Sequence, residues 1–201
     1  MFFSFDGLDG VGKTTQSKLF CDWLASLGHR VLTCQDPGST ELGETLRAIL
    51  LQGKSPRGLR AEMLLFMAAR AQLVEEVIRP ALLSGQVVVS DRFLLANVVY
   101  QGYAGGLPVD ALWKIGRIAT AGLEPDLTIL LDMPPDAAQK RIGRELDRME
   151  QQDAAYQTRL RQGYLAEAAR QPDKIALLDA SRPIEEIQAD IRRRAEKLLS
   201  G

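Results

Sequence analysis

Gly7-Leu8-Asp9-Gly10-Val11-Gly12-Lys13-Thr14 follows the spacing G-x-x-x-x-G-K-[ST], and the chemistry of that spacing is the chemistry of a polyphosphate. Glycines let successive backbone N–H groups turn toward a phosphate chain, and the helix behind the loop adds the positive end of its dipole. Lys13 would reach the β- and γ-phosphates, and the Thr14 hydroxyl would take a coordination position on Mg²⁺. A chance match would lack the required context. Here the motif stands after a short apolar run at residues 2–5 and before a helical period that starts at Lys13, so the whole loop is the candidate ATP site.

A second group of residues could hold an acceptor. The β-branched run at 87–90 ends in Asp91-Arg92-Phe93. A carboxylate at the carboxyl tip of a parallel strand beside a phosphate loop can hold Mg²⁺, directly or through water. The adjacent arginine can grip a second phosphate with a bidentate fork. An Asp–Arg pair that merely caps the strand is the alternative. Asn97, Tyr100 and Gln101 follow, and Phe66 and Arg70 lie one helical turn apart upstream. Phe66 could stack on a base while Arg70 donates to its edge, although an apolar residue at helical spacing is more often core.

The elements that must position these groups alternate between short β-like runs and longer helical stretches. Apolar runs at 2–5, 31–34, 87–91, 127–132 and 175–178 read as five strands. Continuous apolar strands separated by helices belong in a parallel sheet covered on both faces. Helical periods are predicted from Lys13, with Leu19, Phe20, Trp23, Leu24 and Leu27 on one face and Gly28 as C-terminal cap, and over 42–51, 59–83 and the segment carrying Ile184, Ile187, Ile191, Ala195 and Leu198. Residues 141–161 are dense in charge and Gln, which predicts a poorly buried helix. The chain of 201 residues reads as one α/β domain, residues 1–201, with a mobile charged segment.

Composition narrows the function. The sequence is 46% hydrophobic and 25% charged, with Lys+Arg 25 against Asp+Glu 26, so the basic excess of a nucleic-acid binder is missing. Arg192-Arg193-Arg194 is balanced by Glu185, Glu186 and Asp190 and reads as a solvated helix face. No apolar run is long enough to cross a bilayer, the N-terminus lacks the pattern of a signal peptide, and Cys21 and Cys34 read as reduced thiols, so a cytoplasmic protein is expected. His29 is the only histidine, which removes most zinc sites and any Ser–His machinery. A guanine-reading switch needs Asn-Lys-x-Asp, yet Val98 follows Asn97, the only asparagine. A small-molecule kinase fits this length; a non-catalytic nucleotide-binding switch is the alternative of another class.

Taken together, the phosphate loop, Asp91-Arg92-Phe93, Asn97 with Tyr100-Gln101-Gly102, the Phe66/Arg70 pair and Gly143-Arg144-Glu145-Leu146-Asp147-Arg148-Met149-Glu150 resemble the thymidylate kinases, in order and spacing, through nearly the whole chain. The resemblance implies a nucleoside monophosphate kinase fold and transfer of the γ-phosphate of ATP to dTMP, with Mg²⁺, in a cytoplasmic homodimer. Another nucleoside monophosphate kinase is the nearest alternative. By the resemblance Arg92 would hold the dTMP phosphate and Phe66 would stack on thymine. Arg70 and Asn97 would address the base edge, with Gln101 beside them. Tyr100 would lie against the sugar, and Asp9 would face the acceptor sugar and the reacting phosphates. Thr14 and Asp91 would serve the metal. Where the eukaryotic type carries an arginine in the phosphate loop, this chain has Gly10, so Arg144 and Arg148 would bring catalytic charge from a lid at about 141–152, which Arg141 could extend. The chain departs from the family after the second strand, where Gln35-Asp36-Pro37-Gly38-Ser39-Thr40 replaces Arg-Glu-Pro-Gly-Gly-Thr. Asp36 keeps the carboxylate, and Arg47 on the next helix is expected to supply part of the missing positive contact with dTMP. Ala96 stands where a serine is frequent.

Overall fold

The computed structural model describes residues 1–53, 56–143 and 153–199. Five strands, β1 (Phe2–Gly7), β2 (Val31–Gln35), β3 (Val87–Asp91), β4 (Leu127–Asp132) and β5 (Ile175–Asp179), form one sheet in the order β2-β3-β1-β4-β5. Every pairing is parallel. The five apolar runs of the sequence are these five strands, and helices cover both faces as expected.

Burial on both faces explains why the strands are continuously apolar. Phe3 and Phe5 of β1 pack with Phe20 and Leu24 of α1 (Lys13–Ser26) and with Ile187, Ile191 and Ala195 of α9 (Ile184–Leu199). Phe2 and Val88 belong to the opposite cluster, with Met63 and Met67 of α3 (Leu59–Leu73) and Leu112 of α6 (Val109–Ala119). The inward face of α1 is turned relative to the sequence reading: Gln16, Phe20 and Leu24 are buried, while Leu27 is exposed at the C-terminal end, before Gly28 with φ +86°. Ile184 is likewise exposed, at the start of α9. Arg193 pairs with Asp190, and Arg194 is exposed, as a solvated face requires.

The stretch read as one helix over 59–83 contains an interruption. α3 opens into a π-helical turn, Val74–Ile78, before α4 (Arg79–Leu83). Pro80 has no N–H for the carbonyl four residues back and its ring collides with it, so the turn before it widens. A second π-helical turn, Val98–Ala104, follows α5 (Leu94–Asn97) and carries Tyr100 and Gln101. α2 (Glu41–Gln52) and the short α7 (Pro135–Gln139) complete the cover with α8 (Ala154–Arg170). α8 begins at an Asp153 cap; its first turns, within the charged stretch, are mostly exposed apart from Leu160, as expected, and its later part buries Tyr164 and Glu167. Arg144 and Arg148 lie outside the described residues.

β1 is flanked by β3 on one side and β4 on the other, so the chain reverses its direction of growth there and leaves a crevice at the carboxyl ends of the strands. α8 closes one wall of the domain through Glu167. This carboxylate is fully buried and accepts from Tyr103 Oη at 2.8 Å, Trp113 Nε1 at 3.2 Å, Arg170 Nη1 at 2.9 Å and Gln171 Nε2 at 3.1 Å. Glu167→Gln places an amide N–H among those donors. It is expected to cost about 2–3 kcal/mol, seen as a melting temperature lower by about 4–12 °C; an unchanged melting temperature would show that the carboxylate does not hold α8.

Candidate active site

The loop between β1 and α1 is shaped by close approaches. A Cβ on Gly7, whose φ is +134°, would stand 2.4 Å from the Leu131 carbonyl oxygen. At Gly10, with φ +84°, it would stand 2.1 Å from the Ala138 oxygen of α7. The arginine of the eukaryotic type therefore has no room at position 10 while α7 sits here. Leu8 and Val11 are buried in the core and anchor the loop. Asp9, Gly10, Val11, Gly12, Lys13 and Thr14 line a cleft of about 1210 Å³, with Gly7 and Leu8 behind its wall.

Two cations meet at this loop. Lys13 Nζ donates to the carbonyls of Gly7 at 3.3 Å and Leu8 at 2.8 Å, and pairs with Asp9 Oδ1 at 3.3 Å. Arg92, just past β3, donates from Nη1 to the same Gly7 carbonyl at 3.0 Å and from Nη2 to the same Asp9 oxygen at 2.5 Å. Its backbone is held in the left-handed region, φ +66°, by its N–H on Phe5 O and by Ser90 Oγ, which donates to its carbonyl. The guanidinium lies 5.3 Å from the centre of the Tyr100 ring, and Tyr100 Oη donates to Asp9 Oδ2 at 3.3 Å. Burial acts to raise the Asp9 pKa, but Arg92 and Lys13 outweigh it and hold the carboxyl well below the usual carboxylate range. Burial, and then Arg92, lower the Lys13 pKa.

The far end of the cleft is built on Arg70. It is buried, with Nε on Asp36 Oδ2 at 2.5 Å, Nη1 on Asn97 Oδ1 at 3.0 Å and Nη2 near Phe93 O at 3.4 Å. Asn97 Nδ2 donates to Gln101 Oε1 at 2.6 Å, and Gln101 Nε2 donates to Glu62 Oε1 at 3.1 Å. Asn97 and Gln101 thus orient Arg70 through an unbroken chain of side chains. Half-buried Phe66 lines the same end, with Arg47 and Asp36 beside it. At the other end Arg141 lines the cleft and donates from Nη1 to Ala180 O at 3.2 Å.

Three polar residues of this network escape the sequence reading. Asp6 is fully buried, and Tyr164 Oη donates to its Oδ1 at 3.3 Å while accepting from Arg92 Nη1 at 3.1 Å. Glu62 joins the Arg70 chain through Gln101. Asp6 had a signal, a carboxylate inside an apolar strand. Tyr164 and Glu62 had none, because only tertiary packing brings their helices to the cleft. Of the metal candidates, Asp91 has a buried Oδ1 without a hydrogen-bond partner among the described residues, and Thr14 is exposed at the loop's end.

Comparison with known proteins finds relatives over nearly the whole chain. The thymidylate kinase family profile matches residues 5–191. A thymidylate kinase of Rhodopirellula baltica is 45% identical over 186 residues, covering 92% of this chain and 76% of that one. One from Symbiobacterium thermophilum is 45% identical over 202 residues, covering 99% and 94%. The crystal structure of thymidylate kinase from Ehrlichia chaffeensis superposes with a TM-score of 0.79 at 26% identity, covering 98% of both chains.

Asp6 gives the nucleotide-free protein a distinct pH signature. Burial raises its pKa from 3.8 to about 7, against Arg92 and Lys13, which lower it. The unfolded chain releases this proton at lower pH than the folded one, so it binds fewer protons in between, and stability falls as pH rises from about 4 to 7, by at most about 1.4 kcal/mol per pH unit. Denaturant titrations of wild type and Asp6→Asn at several pH values should show that slope reduced in the variant. Equal slopes would contradict the assignment.

Proposed function

The chain belongs to the thymidylate kinase family, and on that premise we propose how its cleft transfers the γ-phosphate of ATP to dTMP, giving dTDP. One observation carries the reading: Lys13 and Arg92 converge on Asp9 in a cleft whose other end presents Phe66 and Arg70. That arrangement supports two phosphate sites side by side and a base site at the other end of the same cleft.

The loop amides and Lys13 take the phosphates of ATP, Lys13 exchanging the carbonyls of Gly7 and Leu8 for phosphate oxygens. Arg92 and Arg47 take the dTMP phosphate. Phe66 stacks on thymine, Arg70 donates to its edge with Asn97 and Gln101 holding it in place, and Tyr100 packs against the sugar. A dTMP phosphate oxygen attacks the γ-phosphorus in line, and the bond to the β–γ bridging oxygen breaks as ADP leaves. The acceptor oxygen is already anionic, so no strong base is required, and catalysis rests on alignment and neutralisation of charge. Residues 141–152 serve as a lid that delivers Arg144 and Arg148 to the transferring group. Thr14 and Asp91 offer hard oxygen donors that suit Mg²⁺, and the unpartnered Asp91 Oδ1 supports this. When bound, the ion would offset the charge of the phosphates.

Leu42 and Ile49 on α2, Leu64 on α3 and Ile118 on α6 are exposed apolar side chains on neighbouring helices. They support a homodimer. Among the described residues no helix is long and apolar enough to cross a membrane, and two free thiols, Cys21 and Cys34, support a reducing cytoplasmic setting.

A coupled assay with ATP, Mg²⁺ and a panel of acceptors tests the reading. The single methyl that separates dUMP from dTMP should lower kcat/KM by no more than about 200-fold. Cytosine sets an amino donor against Arg70, so dCMP should fall well below dUMP. Turnover of dCMP equal to that of dTMP would show the base site to be wrongly placed.

A further inference from the structure

The resemblance leads one to expect an arginine at position 35, and the chain has a neutral amide there. Gln35 ends β2 in register with Asp91 of β3, and its backbone N–H donates to Ser39 Oγ at 2.9 Å. Its side chain meets the guanidinium of Arg47 on α2. Only the amide oxygen can accept from a guanidinium, and with that oxygen facing Arg47 it lies 3.2 Å from Nη1 and 3.1 Å from Nη2. Arg47 Nη1 also donates to Pro37 O at 2.9 Å. The end of β2, the loop after it and α2 therefore converge on one cation, and both Gln35 and Arg47 line the cleft. Building on the dTMP reading above, we propose that Gln35, by its paired contact with both terminal nitrogens of Arg47, positions that guanidinium for the phosphate of the acceptor nucleotide.

The chemistry of residue 35 decides what Arg47 can do. A carboxylate here would orient the guanidinium but cancel its charge. An arginine here would add a second positive charge but offer Arg47 no acceptor to orient it. A neutral acceptor fixes the direction and leaves the positive charge for an anion. The nearby carboxylate of Asp36 pairs with Arg70 through Oδ2, and its Oδ1 accepts no hydrogen bond among the described residues, so Asp36 does not tie Arg47 down. The charge lost at position 35 is thus recovered by orienting the next one, and no new cation is needed.

A double-mutant cycle read by equilibrium binding tests this. Kd for dTMP and for thymidine is measured on the full-length enzyme for wild type, Gln35→Ala, Arg47→Ala and the double variant. Gln35→Ala should weaken dTMP about three- to tenfold and leave thymidine, which has no phosphate, unchanged. Arg47→Ala should weaken dTMP further, and the double variant should be no worse than Arg47→Ala, because Gln35 acts only through Arg47. Additive losses, or an equal loss with thymidine, would make Gln35 a structural residue and overturn the proposal while dTMP remains a substrate. If wild type fails to phosphorylate dTMP, the functional reading falls, and this proposal with it.

Discussion

A single carboxylate oxygen, Oδ1 of Asp9, receives both Lys13 and Arg92, and the carboxyl end of the sheet is arranged around that meeting. The two cations also share the Gly7 carbonyl. Bringing two positive charges this close costs free energy unless a negative group stands between them, which is why Asp9 is held ionised. The geometry that permits it is demanding. Gly7 and Gly10 must pass where no side chain fits, and Arg92 must adopt a left-handed backbone that L-residues rarely accept. Tyr164 and Asp6 on one side, and Tyr100 on the other, hold the guanidinium once it is there. The cluster holds two cations in fixed places, which the proposed reading assigns one to the donor and one to the acceptor phosphate.

The base end solves a different problem. Arg70 is a charge buried among apolar helices, and its ion pair with Asp36 is tolerable only because Asn97, Gln101 and Glu62 extend it into a hydrogen-bonded chain. The π-helical turn after α5 carries Gln101 and Tyr100, so one widened segment reaches both the Arg70 chain and the Asp9–Arg92 cluster. A rigid Arg70 can discriminate between a carbonyl and an amino group on a base, which a mobile one could not.

Much of this was legible in the chain. The five strands were readable because burial on both faces leaves no polar alternation, and the phosphate loop because its glycines and Lys13 have a fixed spacing. Arg92 was readable from its place at the end of an apolar run. Tyr164 was hidden, since a tyrosine in a charged helical segment looks like surface until α8 is packed on the sheet. Asn97 and Gln101 lie four apart, a spacing that lets them meet along one helical segment, whereas the bonds of Asn97 to Arg70 and of Gln101 to Glu62 depend on tertiary distance and could not be read from spacing. The widening before Pro80 was signalled by the proline, and the helical reading of 59–83 passed over it. Arg144 and Arg148 rest on the family resemblance.

The claim at the centre is that Asp9 holds Lys13 and Arg92 in separate, productive places. The direct measurement is kcat of Asp9→Asn at saturating ATP and dTMP, set against its Kd for dTMP. Removing the negative charge should leave dTMP bound at least as tightly, because the cleft becomes more positive, while kcat falls at least about tenfold as alignment is lost. A kcat within twofold of wild type would contradict the account.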